Sequence, residues 1–267
     1  MESQRWPRQL GCPVSSQSLV CPSRFAFRAA NLYTVDLPFL RSDLFVFLFF
    51  IAFIAFIIIS SFYSAKAAKK RHEGMSALSQ RIGLNFQVEK DYGFDERYPF
   101  IDKLCRGKDR YGFNILQGTY RKHPVYVFDY HYKTTSRDKD GKKKTRHHYF
   151  SFFILHFDGN FPELLICREG FFSKIGQFFG FDDIDFESAE FSRRFLVKSP
   201  NKKFAYDICH SQLIEYLLAN GDLNIEIERN VLTLFFPRRL DPSQVQYNLD
   251  RLVHVRETFP NYLFAQR

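Results

Sequence analysis

The chain has 267 residues, a formal net charge of +9 and 18% aromatic residues, and 33 of its residues are Phe. This length is enough for one domain with a well-filled core, and it does not require a second domain. The positive charge permits attraction to anionic lipid or nucleic acid but does not indicate a fold. The five cysteines lack paired or metal-ligand spacing, which excludes a disulfide scaffold and favours a reducing compartment.

The N-terminal part of the chain contains one long apolar segment. Residues 1–43 mix Pro, Ser, Arg and Gln without a helix or strand period, so we expect them to be unstructured. Residues 44–63 follow, twenty residues without a charge. A helix of that length spans about 30 Å, the thickness of the hydrocarbon core of a bilayer. The sequence therefore predicts one transmembrane helix at 44–63, through which the chain contacts the lipid bilayer.

The charges beside this segment predict its orientation. Five Lys or Arg residues occur in the twenty residues after it and three in the twenty before it, which favours a cytoplasmic C-terminal domain. A cleaved signal peptide is disfavoured because the apolar run is longer than a signal core and begins 43 residues into the chain. Residues 64–83 predict a juxtamembrane helix whose basic start either lies among lipid phosphates or forms a solvated stalk with topology-setting charges.

Residues 84–267 alternate between strand and helix patterns, starting with a short strand at 84–87. Residues 113–120 and 125–133 predict a half-buried hairpin around a turn at 121–124, with Asp129 and His131 on its polar face. Further patterns predict several helices, a central strand with its partner, and a second hairpin that turns at Arg229-Asn230. In chain order, these elements are a helix at 95–105, the central strand at 149–157 and its partner at 164–167, a helix at 171–179, a strand near 195–198, a helix at 201–217, and the hairpin strands at 223–228 and 231–236.

The clearest local signals mark helix starts. Asn201 is placed to cap the helix that follows it. Asp241, Pro242 and Gln244 form a capping-box pattern for a last helix, on which Leu249 faces the core. Strands in hairpins with helices between them predict an α+β domain with a mainly antiparallel sheet.

No motif for a catalytic site or a cofactor is present, and we predict no cofactor. The most acidic stretch, residues 182–187, offers Asp183, Asp185 and Glu187 as weak metal-ligand candidates. An EF-hand is excluded because Ser188 and Arg194 occupy the positions that require glycine and glutamate. The alternative is an acidic surface that is solvated or paired with neighbouring arginines.

Histidines and cysteines give no stronger site. His147 and His148 adjoin a basic loop, and His131 faces them if the strands pair as a hairpin, but a zinc site needs three or four convergent ligands. Cys209 and His210 would point about 100° apart on a helix, so they cannot form a catalytic dyad. We expect Cys209 to lie in the core.

The loop at residues 133–148 carries seven Lys or Arg and two Asp. Such a run is usually a mobile, solvated hairpin tip, and its functional alternative is contact with an anionic lipid or a protein partner. Nucleic acid is a weaker option because no aromatic residue interrupts the charges to stack on bases. The candidate lipid- or partner-binding residues are Lys142, Lys143, Lys144 and Arg146.

Residues 180–195, with the sequence GFDDIDFESAEFSRRF, resemble a block in a family of uncharacterised bacterial single-pass membrane proteins. The stretches Phe204-Ala205-Tyr206-Asp207 and Phe128-Asp129-Tyr130 are also similar. The resemblance begins near residue 44, and residues 1–43 have no counterpart in it. The resemblance implies that the chain is a single-pass protein of the bacterial inner membrane. The family has no established activity, so the resemblance does not indicate one.

Two functions follow from these observations. We favour a membrane-anchored cytoplasmic binding or scaffolding domain over an enzyme, because the sequence lacks a catalytic motif. The alternative is a membrane-associated hydrolase that uses the acidic residues 182–187. Carboxylates that converge with a histidine in a pocket would favour the enzyme, whereas carboxylates that pair outward with Arg193 and Arg194 would favour the scaffold.

Overall fold

The computed structural model describes residues 38–169 and 183–265, with side chains described for 44–169 and 183–264. The chain divides into two units, Met1–Phe56 and Ile57–Arg267. The fold is α+β with a mainly antiparallel sheet, as the sequence predicted. The predicted helix 171–179 lies outside the described residues, as do residues 1–37.

A single long helix, α1 (Pro38–Ile82), includes the predicted transmembrane and juxtamembrane segments. Among the described residues, α1 is the one helix with a segment long and apolar enough to cross a membrane. Every residue from Leu44 to Tyr63 is exposed. Exposed apolar surface of this extent is typical of contact with lipid rather than water. One apolar helix therefore indicates a membrane anchor.

Six strands form one antiparallel sheet around a 26-residue central strand. The strands β1, β2 and β3 pair in chain order, β4 pairs with β3 and β5 along one edge, and β6 lies along its other edge. The strand bounds are β1 Asn85–Gln87, β2 Lys108–Tyr120, β3 His123–Arg137, β4 Lys143–Arg168, β5 Phe195–Lys198 and β6 Ile225–Phe236.

Seven further described helices surround the sheet. The longest, at the C-terminal end, begins with the predicted capping box: Asp241 accepts from the Ser243 amide and Gln244 reaches back to the Asp241 amide. The helix bounds are α2 Phe94–Arg97, α3 Asp102–Cys105, α4 Ala189–Arg194, α5 Lys202–Ile208, α6 Ser211–Ala219, α7 Pro242–Glu257 and α8 Tyr262–Ala265.

Apolar cores lie on both faces of the sheet. On one face, Met75 and Leu78 of α1 pack in a cluster with residues from α5, α6 and α7, including Leu249, which is fully buried. On the other face, short helices α2 and α3 cover an aromatic cluster that contains Phe128 and Phe152. Residues of α1 beyond the span are therefore part of the folded domain and not a solvated stalk.

The hairpin was predicted to be half-buried, and this is wrong because the sheet is covered on both faces. Asp129 and His131, predicted on the polar face, are 1% and 2% exposed. The hairpin turn is also tighter than predicted, because β3 begins at His123 and Arg121 and Lys122 form a two-residue turn with positive φ angles of 44° and 74°. An alternating pattern predicts a solvent face only where one face of a sheet is free.

Two predicted turns are instead irregularities within long strands. The residues near Gly159, whose φ is 142°, lie inside β4, and Arg229, whose φ is 56°, lies inside β6. Phe161 pairs with Arg229, and the register shifts on either side of this pair. Turn-type residues here accommodate bulges in two paired strands rather than hairpin connections.

Two predicted helices are each two shorter helices. The predicted helix 95–105 is divided into α2 and α3. The predicted helix 201–217 begins as expected, with the Asn201 side chain accepting from the Phe204 amide at 3.0 Å, but it is interrupted between Ile208 and Ser211. Cys209 and His210 occupy this break. Cys209 is buried as expected, and His210 bonds through Nε2 to the Thr258 carbonyl at 2.8 Å.

Candidate functional site

The segment 133–148, predicted as a mobile loop, is mostly paired strand, and we call it the basic ribbon. β3 and β4 pair as far as Arg137 and Lys143, so the tip is reduced to residues 138–142. Asp138 closes this tip by accepting from the Lys142 amide at 2.9 Å. The ribbon thus holds its charges on a regular two-stranded scaffold. All four candidate binding residues, Lys142, Lys143, Lys144 and Arg146, are exposed.

The acidic candidates do not form a cluster with a histidine among the described residues. Asp183 pairs with Lys198 of β5 at 3.1 Å, and Asp185 and Glu187 are exposed. Arg194 pairs with Glu190 of its own helix and not with the three candidates. Within residues 38–169 and 183–265, no group of three His, Cys, Asp or Glu side chains is arranged to hold a metal ion.

Arg71 of α1 is fixed in the domain by a buried network around Asp129. Its Nε and Nη2 donate to the two carboxylate oxygens of Asp129 at 2.8 and 2.7 Å, and Nη1 donates to the Leu240 carbonyl. Asn114 and Ser151 donate to the same carboxylate at 2.9 and 3.1 Å. Bidentate pairing of this kind satisfies both charges in a site that excludes water.

A groove lies beside this network, between residues 67–81 of α1 and the start of α7. We call it the α1–α7 groove; its volume is about 810 Å³. The helices approach closely because Gly74 has no Cβ, and one added there would lie 3.1 Å from Pro242. Lys70, Arg81 and Arg239 line it, and none of the three forms an ion pair with a described carboxylate.

The side chains that line the α1–α7 groove carry a net positive charge, with four basic residues and one carboxylate. The pKa of Asp241, its carboxylate, is lowered chiefly by the hydrogen bonds from Ser243 and further by the positive charges of Arg71 and Lys70. Asp241 already caps the N-terminus of α7, so its carboxylate offsets the partial positive charge of that helix end. The groove is suited to an anionic group because of Lys70, Arg81 and Arg239, which pair with no carboxylate among the described residues.

A second, smaller cavity lies beyond Arg239, whose guanidinium is 5.2 Å from the centre of the Tyr149 ring. We call it the tyrosine–histidine pocket, with a volume of about 340 Å³. Its aromatic walls are Tyr92, Tyr111, His131, His147 and Tyr149, and its charged rim is Lys90, Asp109 and Lys133.

Cross-strand register builds the floor of this pocket. Tyr111 of β2 pairs with His131 of β3, which pairs with Tyr149 of β4, so their rings lie in a row with centroids 4.7 and 4.9 Å apart. The Nε2 atom of His131 lies 3.0 Å from Nδ1 of His147. Burial lowers the pKa of His131, which favours a neutral ring.

A separate group of acidic residues lies on the face of the sheet that α2 and α3 cover, opposite the groove and the pocket. Lys103 of α3 and Glu226 of β6 make an ion pair of 3.0 Å with both side chains almost fully buried. Burial, together with the charges of Glu228 and Glu226, raises the pKa of the nearby half-buried Glu163 to about 7, so this carboxyl titrates near neutral pH.

No protein-family model matches the chain, and no curated protein sequence matches it. Among solved structures, the crystal structure of the mycobacterial trehalose monomycolate transport factor A, TtfA, is similar with a TM-score of 0.51. The similarity covers 71% of this chain and 96% of that chain, at 11% sequence identity. At this identity the likeness concerns the fold alone.

Sequence reasoning missed the partners that make these sites. The basic residues after the span were interpreted as topology signals, yet Arg71 bonds to Asp129, which lies 58 positions later in the chain. Tyr111, His131 and Tyr149 come together only through strand register. A weak signal was available in His131 and Tyr149, which lie on consecutive predicted strands, but Tyr111 lies outside the predicted strand 113–120. The strand pairing must be known before these residues indicate a pocket.

Proposed function

We propose that this chain is a single-pass protein of the bacterial inner membrane whose cytoplasmic domain binds anionic lipid headgroups. In this proposal the domain acts as a binding or scaffolding component of a lipid-handling system and not as an enzyme. The observation that carries the proposal is the α1–α7 groove with Lys70, Arg81 and Arg239, which pair with no carboxylate among the described residues. The basic ribbon is a second contact surface, for anionic lipid or for a protein partner.

The position of the groove along α1 supports the choice of lipid. Lys70 follows Tyr63, the last residue of the predicted span, by seven residues, which corresponds to about 10 Å along a helix. Basic side chains near a bilayer surface each contribute about 1 kcal/mol of attraction to anionic lipids. The groove adds a defined shape to this attraction, because the start of α7 forms the wall opposite α1 and packs closely against Gly74 of α1.

The similarity to a trehalose monomycolate transport factor supports lipid handling as the general process. The acidic residues assigned to the alternative hydrolase give it no comparable support, because Asp183 pairs with Lys198 and the described carboxylates of that stretch face solvent.

Lipid retention by the full-length protein tests the proposal. The protein, extracted in a mild detergent, is incubated with equal amounts of phosphatidylglycerol and phosphatidylcholine, and bound lipid is counted by native mass spectrometry. We expect selective retention of phosphatidylglycerol, and its loss in the variant Lys70→Gln/Arg81→Gln/Arg239→Gln. Arg71 is left intact because it holds the fold.

The matched control removes the same number of charges at exposed lysines outside both surfaces, Lys108→Gln/Lys122→Gln/Lys202→Gln. Equal retention of both lipids by the unmodified protein, or equal losses in the groove variant and this control variant, would contradict a specific role for the groove. A reporter fused after Arg267 that is active only in the periplasm should stay silent if the domain is cytoplasmic.

A further inference from the structure

The tyrosine–histidine pocket differs in chemistry from the α1–α7 groove. Its cations are partly compensated, since Lys133 bonds to Asp109 at 2.9 Å and Lys90 lies 4.2 Å from the centre of the Tyr111 ring. An anion bound here would meet the Asp109 carboxylate as well as the two ammonium groups. The pocket is therefore less suited to a phosphate than the groove is.

Its lining side chains include both hydrogen-bond donors and hydrogen-bond acceptors. Within the part of the chain that the structure describes, the hydroxyls of Tyr92, Tyr111 and Tyr149 form no hydrogen bond. Both nitrogens of the His131 ring have hydrogen-bond partners. Nδ1 lies 3.3 Å from the Asp109 carbonyl oxygen and must donate to it, because a carbonyl can only accept. Nε2 of the neutral His131 ring therefore accepts from Nδ1–H of His147. This arrangement leaves Nε2 of the exposed His147 as an acceptor.

Apolar contact in the pocket comes from aromatic rings. Tyr92 is 63% exposed and Tyr149 39% exposed, and the Tyr92 ring lies 5.8 Å from that of Tyr111. A volume of about 340 Å³ is near the lower end of the range for small-molecule sites, about 300–1,000 Å³. Ring faces surrounded by mixed donors and acceptors suit a flat, polyhydroxylated ring, whose C–H faces pack on aromatics while its hydroxyls bond at the edges.

The pocket and the groove are adjacent on one face of the sheet. Arg239 lines the groove and lies over Tyr149 of the pocket. Asp129, which holds Arg71, precedes His131 by two residues on the same strand, a rise of about 7 Å. The two sites are therefore neighbours along the sheet, with Arg239 between them.

We propose that the tyrosine–histidine pocket binds the sugar ring of a glycolipid headgroup whose anionic part lies in the α1–α7 groove. This inference rests on the proposed lipid-binding function and specifies the class of headgroup. Tyr92 packs on the ring face, and His147 and Lys90 bond to its hydroxyls.

Saturation-transfer difference NMR on the full-length protein tests this assignment. The protein is held in a zwitterionic detergent without sugar, and the probes are octyl glucoside and octyl phosphocholine, which share a chain and differ in headgroup. We expect saturation of the glucose ring protons and competition that favours octyl glucoside. Glucose without an alkyl chain serves as a third probe. A site for a free sugar binds glucose as tightly as octyl glucoside, whereas a site for a lipid headgroup binds octyl glucoside more tightly.

Variants locate the binding. Tyr92→Ala should weaken binding of octyl glucoside by about five- to tenfold, the effect of one aromatic contact. His147→Ala should also weaken it, whereas Tyr247→Ala, which removes an exposed tyrosine of α7 outside the pocket, should not. Absence of ring-proton saturation, equal binding of octyl phosphocholine, glucose binding as tight as octyl glucoside, or an effect of Tyr247→Ala equal to that of Tyr92→Ala would overturn the inference.

The two proposals fail in different ways. If phosphatidylglycerol retention depends on Lys70 and Arg81 while octyl glucoside does not bind, the pocket assignment is wrong and the proposed function stands. If octyl glucoside binds through Tyr92 while phosphatidylglycerol is not selected over phosphatidylcholine, the anionic part of the assignment and the proposed function are wrong together.

Discussion

Arg71 and the basic ribbon both belong to runs of positive charge, but their environments differ. Arg71 is mostly buried, with its guanidinium paired to a carboxylate that is 1% exposed. Lys142, Lys143, Lys144 and Arg146 are exposed on a two-stranded ribbon. The difference shows that a basic run in a sequence has two uses: a residue that bonds a core carboxylate stabilises the fold, and residues that face solvent remain available for binding.

The largest expected effect is at the Arg71–Asp129 pair. Asp129→Ala leaves a buried guanidinium without its partner, and we expect it to lower the free energy of unfolding by about 3–5 kcal/mol. Thermal unfolding of the full-length protein in detergent micelles measures this effect. The double variant Arg71→Met/Asp129→Leu should lose less than the sum of the single variants, and an unchanged melting temperature for Asp129→Ala would show that the pair does not hold the helix.

The next largest effect on stability is expected from the apolar core on the same face of the sheet. Leu249→Ala in α7 removes a fully buried side chain, which should cost about 2–5 kcal/mol. Its control is Tyr247→Ala, an exposed residue on the same helix, for which we expect about 0.5 kcal/mol or less. Equal melting temperatures for the two variants would mean that the faces of α7 are assigned the wrong way round.

Glu163 gives a smaller effect that depends on pH. Its pKa is raised from 4.5 to about 7, so the folded state binds the proton more tightly than the unfolded chain does. The protein should therefore lose stability as the pH rises from about 4.5 to about 7. Glu163→Gln should raise the melting temperature at pH 8 and have much less effect at pH 4.5; the same shift at both values would exclude titration of Glu163 as the cause.

The smallest effect on stability belongs to the basic ribbon. Replacing Lys142, Lys143, Lys144 and Arg146 with Gln removes exposed charges that pair with no described carboxylate, so we expect a change within about 0.5 kcal/mol per site. The matched comparison is Asp129→Ala in the same assay. A loss as large as that of Asp129→Ala would show that the ribbon is part of the folding core.

Local signals in the sequence predicted what local interactions determine. The caps at Asn201 and Asp241 were predicted because their partners lie within three residues. The apolar span was predicted because its composition alone identifies it. The α+β class and the antiparallel sheet followed from the spacing of such elements.

Features that depend on distant residues could not be predicted in this way. Asp129 follows a pattern typical of an exposed face, and its burial is made possible by Arg71 of α1 together with Asn114 and Ser151. Gly159 and Arg229 resemble turn residues, and only the pairing of β4 with β6 shows that they form bulges. The groove and the pocket depend on the same long-range contacts, so neither was recognised from the sequence.

Site-specific photocrosslinking in intact membranes tests the account most directly. A photoreactive residue at position 77, where Ala77 is exposed and lines the α1–α7 groove, is compared with one at Gly141 on the tip of the basic ribbon. We expect lipid adducts at position 77, enriched in anionic lipid over its share of the membrane and lost in Lys70→Gln/Arg81→Gln. Adducts at position 77 with soluble proteins alone, or with lipids in proportion to the bulk membrane, would contradict this expectation.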